Sequence, residues 1–340
     1  MAGLVVGTNN FGDRIANVAE ALDAIAELGI NEVDCARAYN GGAAEEALGA
    51  AGWAERGFIL ASKTHWAILG DERVREDMEK TRAALRLKEG EKLPIYCACF
   101  CSRLLASASR FCFPRPDRPA NGRLRSDLHS PDVSQPLLPT LQTVVEMYKE
   151  GLFTELGVSN FTAWQVMQIR DVMREMGGPM PAVYQGAYNC VQRDVERDLI
   201  PLCRAHGMRF YGYSPLARGV LTAKFDGTDD DSLNGLQQRY MSNAMDHALS
   251  ALADVCEANS LDVKDAALRW LVHHSSLDGE QGDKVILGSS SVDQLRENAE
   301  AAAAGQLPDA VVEALDATNA ALHPVPAYPG DLGVMELGKL

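Results

Sequence analysis

The sequence predicts an α/β chain closed as a (β/α)8 TIM barrel. Three observations carry this reading. Short apolar runs alternate with amphipathic helical segments along most of the chain, which implies parallel strands with helices packed outside them. Eight such strands fall within about 300 residues, the span of one closed barrel. No strand is followed by G-x-G-x-x-G, which weighs against a doubly wound open sheet with a Rossmann nucleotide site. Residues 1–340 are therefore expected to form a single domain.

The elements follow in order. Leu4–Gly7 is an apolar run closed by glycine, a buried-strand pattern. Ile15, Val18, Ala19, Leu22, Ile25 and Ala26 recur at helical spacing, and Gly29 ends that helix. Asn31–Cys35 and Phe58–Ala61 are the next strands, with helices over Ala43–Ala51 and Asp71–Leu85. Pro94–Tyr96 begins a fourth strand. Leu137–Lys149 is a helix ended by Gly151, Thr154–Val158 a strand, and Thr162–Met176 a helix. Ala182–Gln185 and Met208–Tyr213 are strands on either side of a helix over Val195–Ala205. Val285–Leu287 is the last strand, followed by a helix over Val292–Ala304.

Two segments break the rhythm. Ser214–Tyr240 is a long polar stretch after strand seven, expected to be either a lid or a disordered loop. Cys97–Ser126 carries six Arg, no Lys, one acid and four of the eight Cys, a net +5 within a chain of net charge −15. It has no helical or strand period. We read it as an atypical insertion in strand four, expected to be either translated intron or a mispredicted exon.

Composition excludes several functions. Lys plus Arg total 32 against 47 Asp plus Glu. Nucleic acids and anionic membrane surfaces need a basic face, so neither is expected as a partner. No apolar run approaches the ~20 residues of a membrane helix, and the N-terminal stretch lacks the features of a secretory signal. A cytoplasmic protein is the expectation. The C-x-C-x-C pattern at Cys97–Cys101 has no nearby His and is not a standard zinc spacing. A metal-dependent hydrolase barrel would need an early His-x-His pair, yet the first His is His65. No metal is expected.

Barrel chemistry collects at the C-terminal ends of the strands. Asp34 closes strand two, and Tyr39 follows five residues later. Lys63 follows the apolar run of strand three, and His129 lies where strand four should end. Ser159-Asn160 ends strand five and Gln185 strand six. A phenol has a pKa of ~10 and is a poor acid near neutrality. An adjacent ammonium favours phenolate and lowers that value, and a carboxylate keeps the ammonium charged and oriented. The set suits protonation of a carbonyl oxygen while hydride arrives at carbon. Each residue also has a structural reading: Asp34 and Ser159-Asn160 as helix caps, Tyr39 as packing, Lys63 as a surface ion pair. His273 and His274 are read as structural.

Asp34-x4-Tyr39, Ser62-Lys63-Thr64, Leu128–Asp132, Gly157–Asn160 and Tyr184–Asn189 resemble the aldo-keto reductases. Within that family the chain is most similar to the aflatoxin-aldehyde reductase branch, through Ser214–Lys224, Leu268-Arg269-Trp270 with His273-His274, and Ile286–Asn298. The likeness runs from about Leu4 to Ala304, apart from the thirty-residue segment. It implies NADPH-dependent reduction of small-molecule aldehydes and ketones. Tyr39 would be the proton donor, Asp34 and Lys63 its partners, and His129 the residue orienting the carbonyl. Ser159, Asn160 and Gln185 would hold the nicotinamide carboxamide, and Tyr213 would stack on the ring. Ser214, Pro215, Leu216, Arg218, Gly219 and Lys224 would wrap the pyrophosphate. Arg239 and the run Ser290, Ser291, Gln294 and Asn298 would reach the adenosine and its 2′-phosphate, with Arg296 as a charge partner. The branch also implies a homodimer. The tail, residues 323–340, does not fit the pattern.

The departure lies in strand four. If strand four re-forms around the inserted segment, the enzyme is complete. If the insertion displaces His129, the chain is a cofactor-binding barrel that is catalytically impaired or regulatory.

Overall fold

The structure is a computed structural model that describes residues 1–64, 71–98, 137–222 and 243–321. Eight parallel strands form a closed ring in chain order. They are β1 (Gly3–Gly7), β2 (Glu32–Asp34), β3 (Ile59–Lys63), β4 (Leu93–Ala98), β5 (Phe153–Ser159), β6 (Pro181–Ala187), β7 (Arg209–Tyr213) and β8 (Lys284–Leu287). Register runs of the type Gly3↔Lys284 to Val6↔Leu287 close the ring between β1 and β8. The expected strands all form; β4 and β6 are each three residues longer than the apolar runs, whereas β2 and β7 are shorter.

Alternation sets two cores. Val5, Ala61, Ile95, Cys97, Val183, Tyr211 and Ile286 pack together inside the barrel, while a larger cluster fills the layer between the strands and the helices. Val18, Ala21, Leu22 and Ile25 form the buried stripe of α1 (Val18–Glu27), which Asn17 caps through Glu20 N. Ile15, expected in that helix, instead bridges Phe11 in the preceding loop. The helices α2 (Ala43–Ala50), α3 (Asp71–Ala84), α4 (Leu137–Lys149) and α5 (Ala163–Glu175) follow the expected pattern. The segment expected as one helix over Val195–Ala205 splits into a 3-10 turn, Asp194–Glu196, and α6 (Leu199–Ala205). Beyond β7 come α7 (Asn243–Ala258), α8 (Val263–His273), α9 (Val292–Ala303) and α10 (Asp309–Ala321). Of these, only α9 was expected as a helix.

Strand four is the main revision. It does not stop at Tyr96 but continues through Cys97 and Ala98, the first residues of the segment set apart by composition. Lys63↔Cys97 aligns it with β3, and Cys97↔Gly157 and Ala98↔Val158 align it with β5. Gly157 is glycine for a reason: a Cβ there would stand 2.4 Å from Cys97 Sγ. The remainder of that segment, the lid reading of residues 223–240 and the tail 323–340 lie outside the described residues.

At the N-terminal end of the barrel, Glu32 accepts from Tyr211 Oη at 3.3 Å and pairs with Lys284; Arg209 pairs with Glu155. Burial beside Glu32 pushes the Tyr211 phenol up and keeps it neutral. A fixed polar layer thus occupies this end, and the candidate chemistry gathers at the other.

Candidate active site

Three strand ends place the central group. Asp34 ends β2, Lys63 ends β3 and Gln185 lies near the end of β6. All three are buried. Lys63 Nζ donates to Asp34 Oδ2 at 2.6 Å and to the Cys35 carbonyl at 2.7 Å. Gln185 Nε2 donates to Asp34 Oδ1 at 2.6 Å. Thr8 also fixes the Asp34 backbone, its Oγ1 donating to the Asp34 carbonyl at 3.1 Å. Asp34 is not a helix cap: the residue preceding α2 is Gly42.

Tyr39 sits on a turn rather than on a strand. Its ring lies beneath Lys63 Nζ, 5.2 Å from ammonium to centroid, a cation–π distance. The turn holds its shape through Asn40, which adopts φ 52° and whose Nδ2 donates to the carbonyls of Asn9 and Phe11 at 3.0 and 3.1 Å. Lys63 is therefore neither on the surface nor in a simple ion pair. It joins a carboxylate on one side to a phenol ring on the other.

The remaining groups ring the same mouth. Asn160 adopts φ 63° directly after β5. Its Nδ2 donates to Ser159 Oγ at 3.1 Å, and its Oδ1 accepts from Tyr213 Oη at 2.8 Å. Ser159-Asn160 does not cap α5. Thr162 does, in a capping box with Gln165. After β7, Ser214, Ala217 and Arg218 all have positive φ. Of seven such non-glycine residues among those described, Asn40, Asn160, Ser214, Ala217 and Arg218 lie at this end of the barrel. Backbone strain of this kind collects at functional sites.

Ser290, Ser291, Gln294 and Asn298 knit the turn from β8 into α9. Ser290 N and Oγ donate to Gln294 Oε1 at 3.1 and 2.6 Å. Ser291 Oγ accepts from Gln294 N at 3.2 Å, and Asn298 Nδ2 donates to the Gly288 carbonyl at 3.3 Å. Arg296 points instead to Glu27 on α1, with Nη2 donating at 2.6 Å. Pro215 is buried, and Leu216 and Gly219 are half-buried in the strained loop. His129, Lys224 and Arg239 lie outside the described residues. His273 and His274 bond the Ala302 carbonyl and the Leu307 amide, in keeping with their structural reading.

Sequence reasoning missed a buried cluster behind Tyr39. Glu45 on α2 is fully buried. It accepts from Arg37 Nη1 at 2.6 Å, Ser62 Oγ at 2.6 Å and Thr81 Oγ1 at 3.0 Å. Burial pushes the Glu45 carboxyl upward against these contacts. Burial and the nearby Glu45 charge push the Cys35 thiol up to about 12, so it stays protonated. Among the described residues, no group of three or more His, Cys, Asp or Glu is placed to hold a metal ion. No helix among them is long and apolar enough to cross a membrane.

Comparison with known proteins shows the family. Residues 3–92 and 127–320 match the aldo/keto reductase family, and residues 93–126 fall in the gap between the two matches. Aflatoxin B1 aldehyde reductase member 2 of Rattus norvegicus is 35% identical over 96% of this chain and 87% of its own length. The protein of the same name from Homo sapiens is 34% identical, covering 95% and 88%. An aldo-keto reductase of Pseudocercospora fijiensis is 32% identical, covering 87% and 95%.

Proposed function

Since the chain belongs to the aldo/keto reductase family and is by that membership a carbonyl oxidoreductase, we propose that it reduces aldehydes and ketones with NADPH, Tyr39 supplying the proton. The observation that carries this reading is the continuous set Gln185–Asp34–Lys63–Tyr39 at the barrel mouth. When bound, NADPH supplies a hydride to the carbonyl carbon. The Tyr39 hydroxyl gives its proton to the carbonyl oxygen as the alcohol forms, and solvent returns that proton to the phenolate. Lys63 lowers the energy of the phenolate by its adjacent positive charge. Asp34 keeps Lys63 charged and directed.

The chain's residues fit a dinucleotide. Ser159, Asn160 and Gln185 offer hydroxyl and amide groups suited to a carboxamide, and the Tyr213 ring stands beside them. Ser214, Ala217, Arg218 and Gly219 adopt left-handed conformations in the loop after β7, a tight winding of the backbone that suits the close approach of a phosphate. Ser290, Ser291, Gln294 and Asn298 shape the N-terminal end of α9, which favours negative charge. His129 would orient the carbonyl, and Lys224 and Arg239 would add charge to the nucleotide site.

The test is turnover of an aldehyde such as 4-nitrobenzaldehyde by the pure protein, with NADPH and with NADH. Turnover with NADPH supports the reading. NADPH binding without turnover supports the second reading, an impaired or regulatory barrel. One observation favours that alternative: β4 is already fully paired through Ala98, well before His129 in the chain. A homodimer is proposed from the resemblance to the aflatoxin-aldehyde reductase branch, and the cytoplasmic location expected from the sequence is kept as a proposal.

A further inference from the structure

The Glu45 cluster joins the two arms of the site. Arg37 stands on the segment between Asp34 and Tyr39, and Ser62 immediately precedes Lys63. One carboxylate takes a hydrogen bond from each, with Thr81 of α3 as a third donor. The backbone repeats the link, since Arg37 N donates to the Lys63 carbonyl at 3.0 Å. Gly42 makes room for it. With φ 102°, it has no Cβ where one would sit 1.8 Å from Arg37 Nη2. The packing of α2 already has its own apolar contacts, Ala44 and Leu48. The buried carboxylate adds a tie between the phenol-bearing turn and the lysine-bearing strand.

We propose that Glu45, acting through Arg37 and Ser62, is a positioning residue for the reduction, holding the Tyr39 turn against the end of β3 so that the Lys63 ammonium stays on the Tyr39 ring. Glu45 itself does not contact Lys63 or Tyr39 in any hydrogen bond described above. Its effect reaches the proton donor through the geometry of the two arms. The inference rests on Tyr39 as the acid of the reaction.

The experiment uses the full-length protein with Glu45→Gln, which keeps the shape and removes the charge. Three quantities are read: ionisation of the Tyr39 phenol in cofactor-free protein by 13C-tyrosine NMR, with Tyr39→Phe identifying the resonance; kcat against pH with 4-nitrobenzaldehyde; and the NADPH dissociation constant by Trp fluorescence quenching. The expected result is a Tyr39 ionisation constant weakened about tenfold, kcat reduced about tenfold with an alkaline shift of its profile, and NADPH affinity within twofold of the parent. Arg37→Lys should retain more activity than Arg37→Met, and adding Arg37→Met to Glu45→Gln should lose little more. An unchanged Tyr39 titration and kcat would overturn the proposal. So would parallel losses of kcat, NADPH affinity and melting temperature, the signature of a merely structural residue. If Glu45→Gln does not fold, the Arg37 pair carries the same test at a partly exposed position. The NMR reading separates the two hypotheses. If Tyr39→Phe stays active while Glu45→Gln still moves the Tyr39 titration, the acid assignment fails, and with it the role in the reduction, while the hold of Glu45 on the Tyr39–Lys63 geometry stands.

Discussion

Gln185 and Asp34 are hydrogen-bonded across the barrel mouth, Nε2 to Oδ1 at 2.6 Å. Their strands, β6 and β2, stand four places apart in a ring of eight, so the bond spans opposite walls. It ties a residue expected to hold nicotinamide to a residue expected to tune the proton donor. With Lys63 on the other oxygen, both oxygens of a buried carboxylate are satisfied.

The buried pair makes a stability prediction. Side-chain exposures of 2% and 3% for Lys63 and Asp34 put it outside the range of weak surface salt bridges. Lys63→Met strands the carboxylate and should destabilise the protein by about 3–5 kcal/mol. The double variant Lys63→Met/Asp34→Asn should lose less than the sum of the singles. Urea unfolding of the four proteins measures this; strict additivity would show that the two groups do not depend on each other.

Asn160 separates backbone strain from ligand contact. A left-handed residue other than Gly, Asn or Asp costs roughly 1–2 kcal/mol. Asn160→Ala should therefore melt lower than Asn160→Gly. Both lose the side-chain amide, and both should weaken NADPH binding about three- to tenfold. Equal affinity for NADPH in parent and variants would remove Asn160 from the nucleotide site.

The pairing of β4 moves the boundary of the segment expected as an insertion. Cys97 is buried among Val5, Ala61, Ile95, Val183, Tyr211 and Ile286, and Gly157 accommodates its sulfur. Deleting Ala98–Asp127 gives Tyr96-Cys97-Leu128-His129 and keeps that contact. Deleting Cys97–Ser126 sets the Asp127 carboxylate in the place of Cys97, with a desolvation penalty of at least about 2 kcal/mol. The first deletion should melt higher and turn over aldehyde at least about tenfold faster. The reverse order would show that Cys97 is foreign to the strand.

Thiol chemistry gives a simpler check. Cys35, Cys97, Cys190, Cys203 and Cys256 are all buried, and burial pushes Cys35, Cys190 and Cys203 up to about 12 and Cys256 up to about 11. A raised pKa leaves these groups as unreactive thiols at pH 8. At most three of the eight cysteines should react rapidly with a disulfide reagent in the native protein. Fast modification of four or more would show that the core opens.

The fold was readable because each strand is a short apolar run that only a barrel interior and its helical shell can bury. Strand ends then located Asp34, Lys63, Asn160 and Gln185. Reading failed where tertiary context decides. Ile15 fits a helical stripe yet bridges Phe11. Asn243–Ala258 was hidden behind the polar stretch after β7, although Leu249, Leu252 and Cys256 recur at helical spacing. Ser159-Asn160 has the chemistry of a cap, but Thr162, three residues beyond Ser159, takes that role. Arg37 and Glu45 look like solvated charges, and only the closing of α2 onto β3 shows that Glu45 is buried with Arg37 paired to it.

The most direct measurement is the turnover of Tyr39→Phe with NADPH and 4-nitrobenzaldehyde, run beside an NADPH binding titration. Loss of a positioned acid should reduce kcat by about 10²–10⁴-fold while nucleotide affinity stays within twofold. Turnover equal to that of the parent protein would mean that the phenol under Lys63 is not the proton donor.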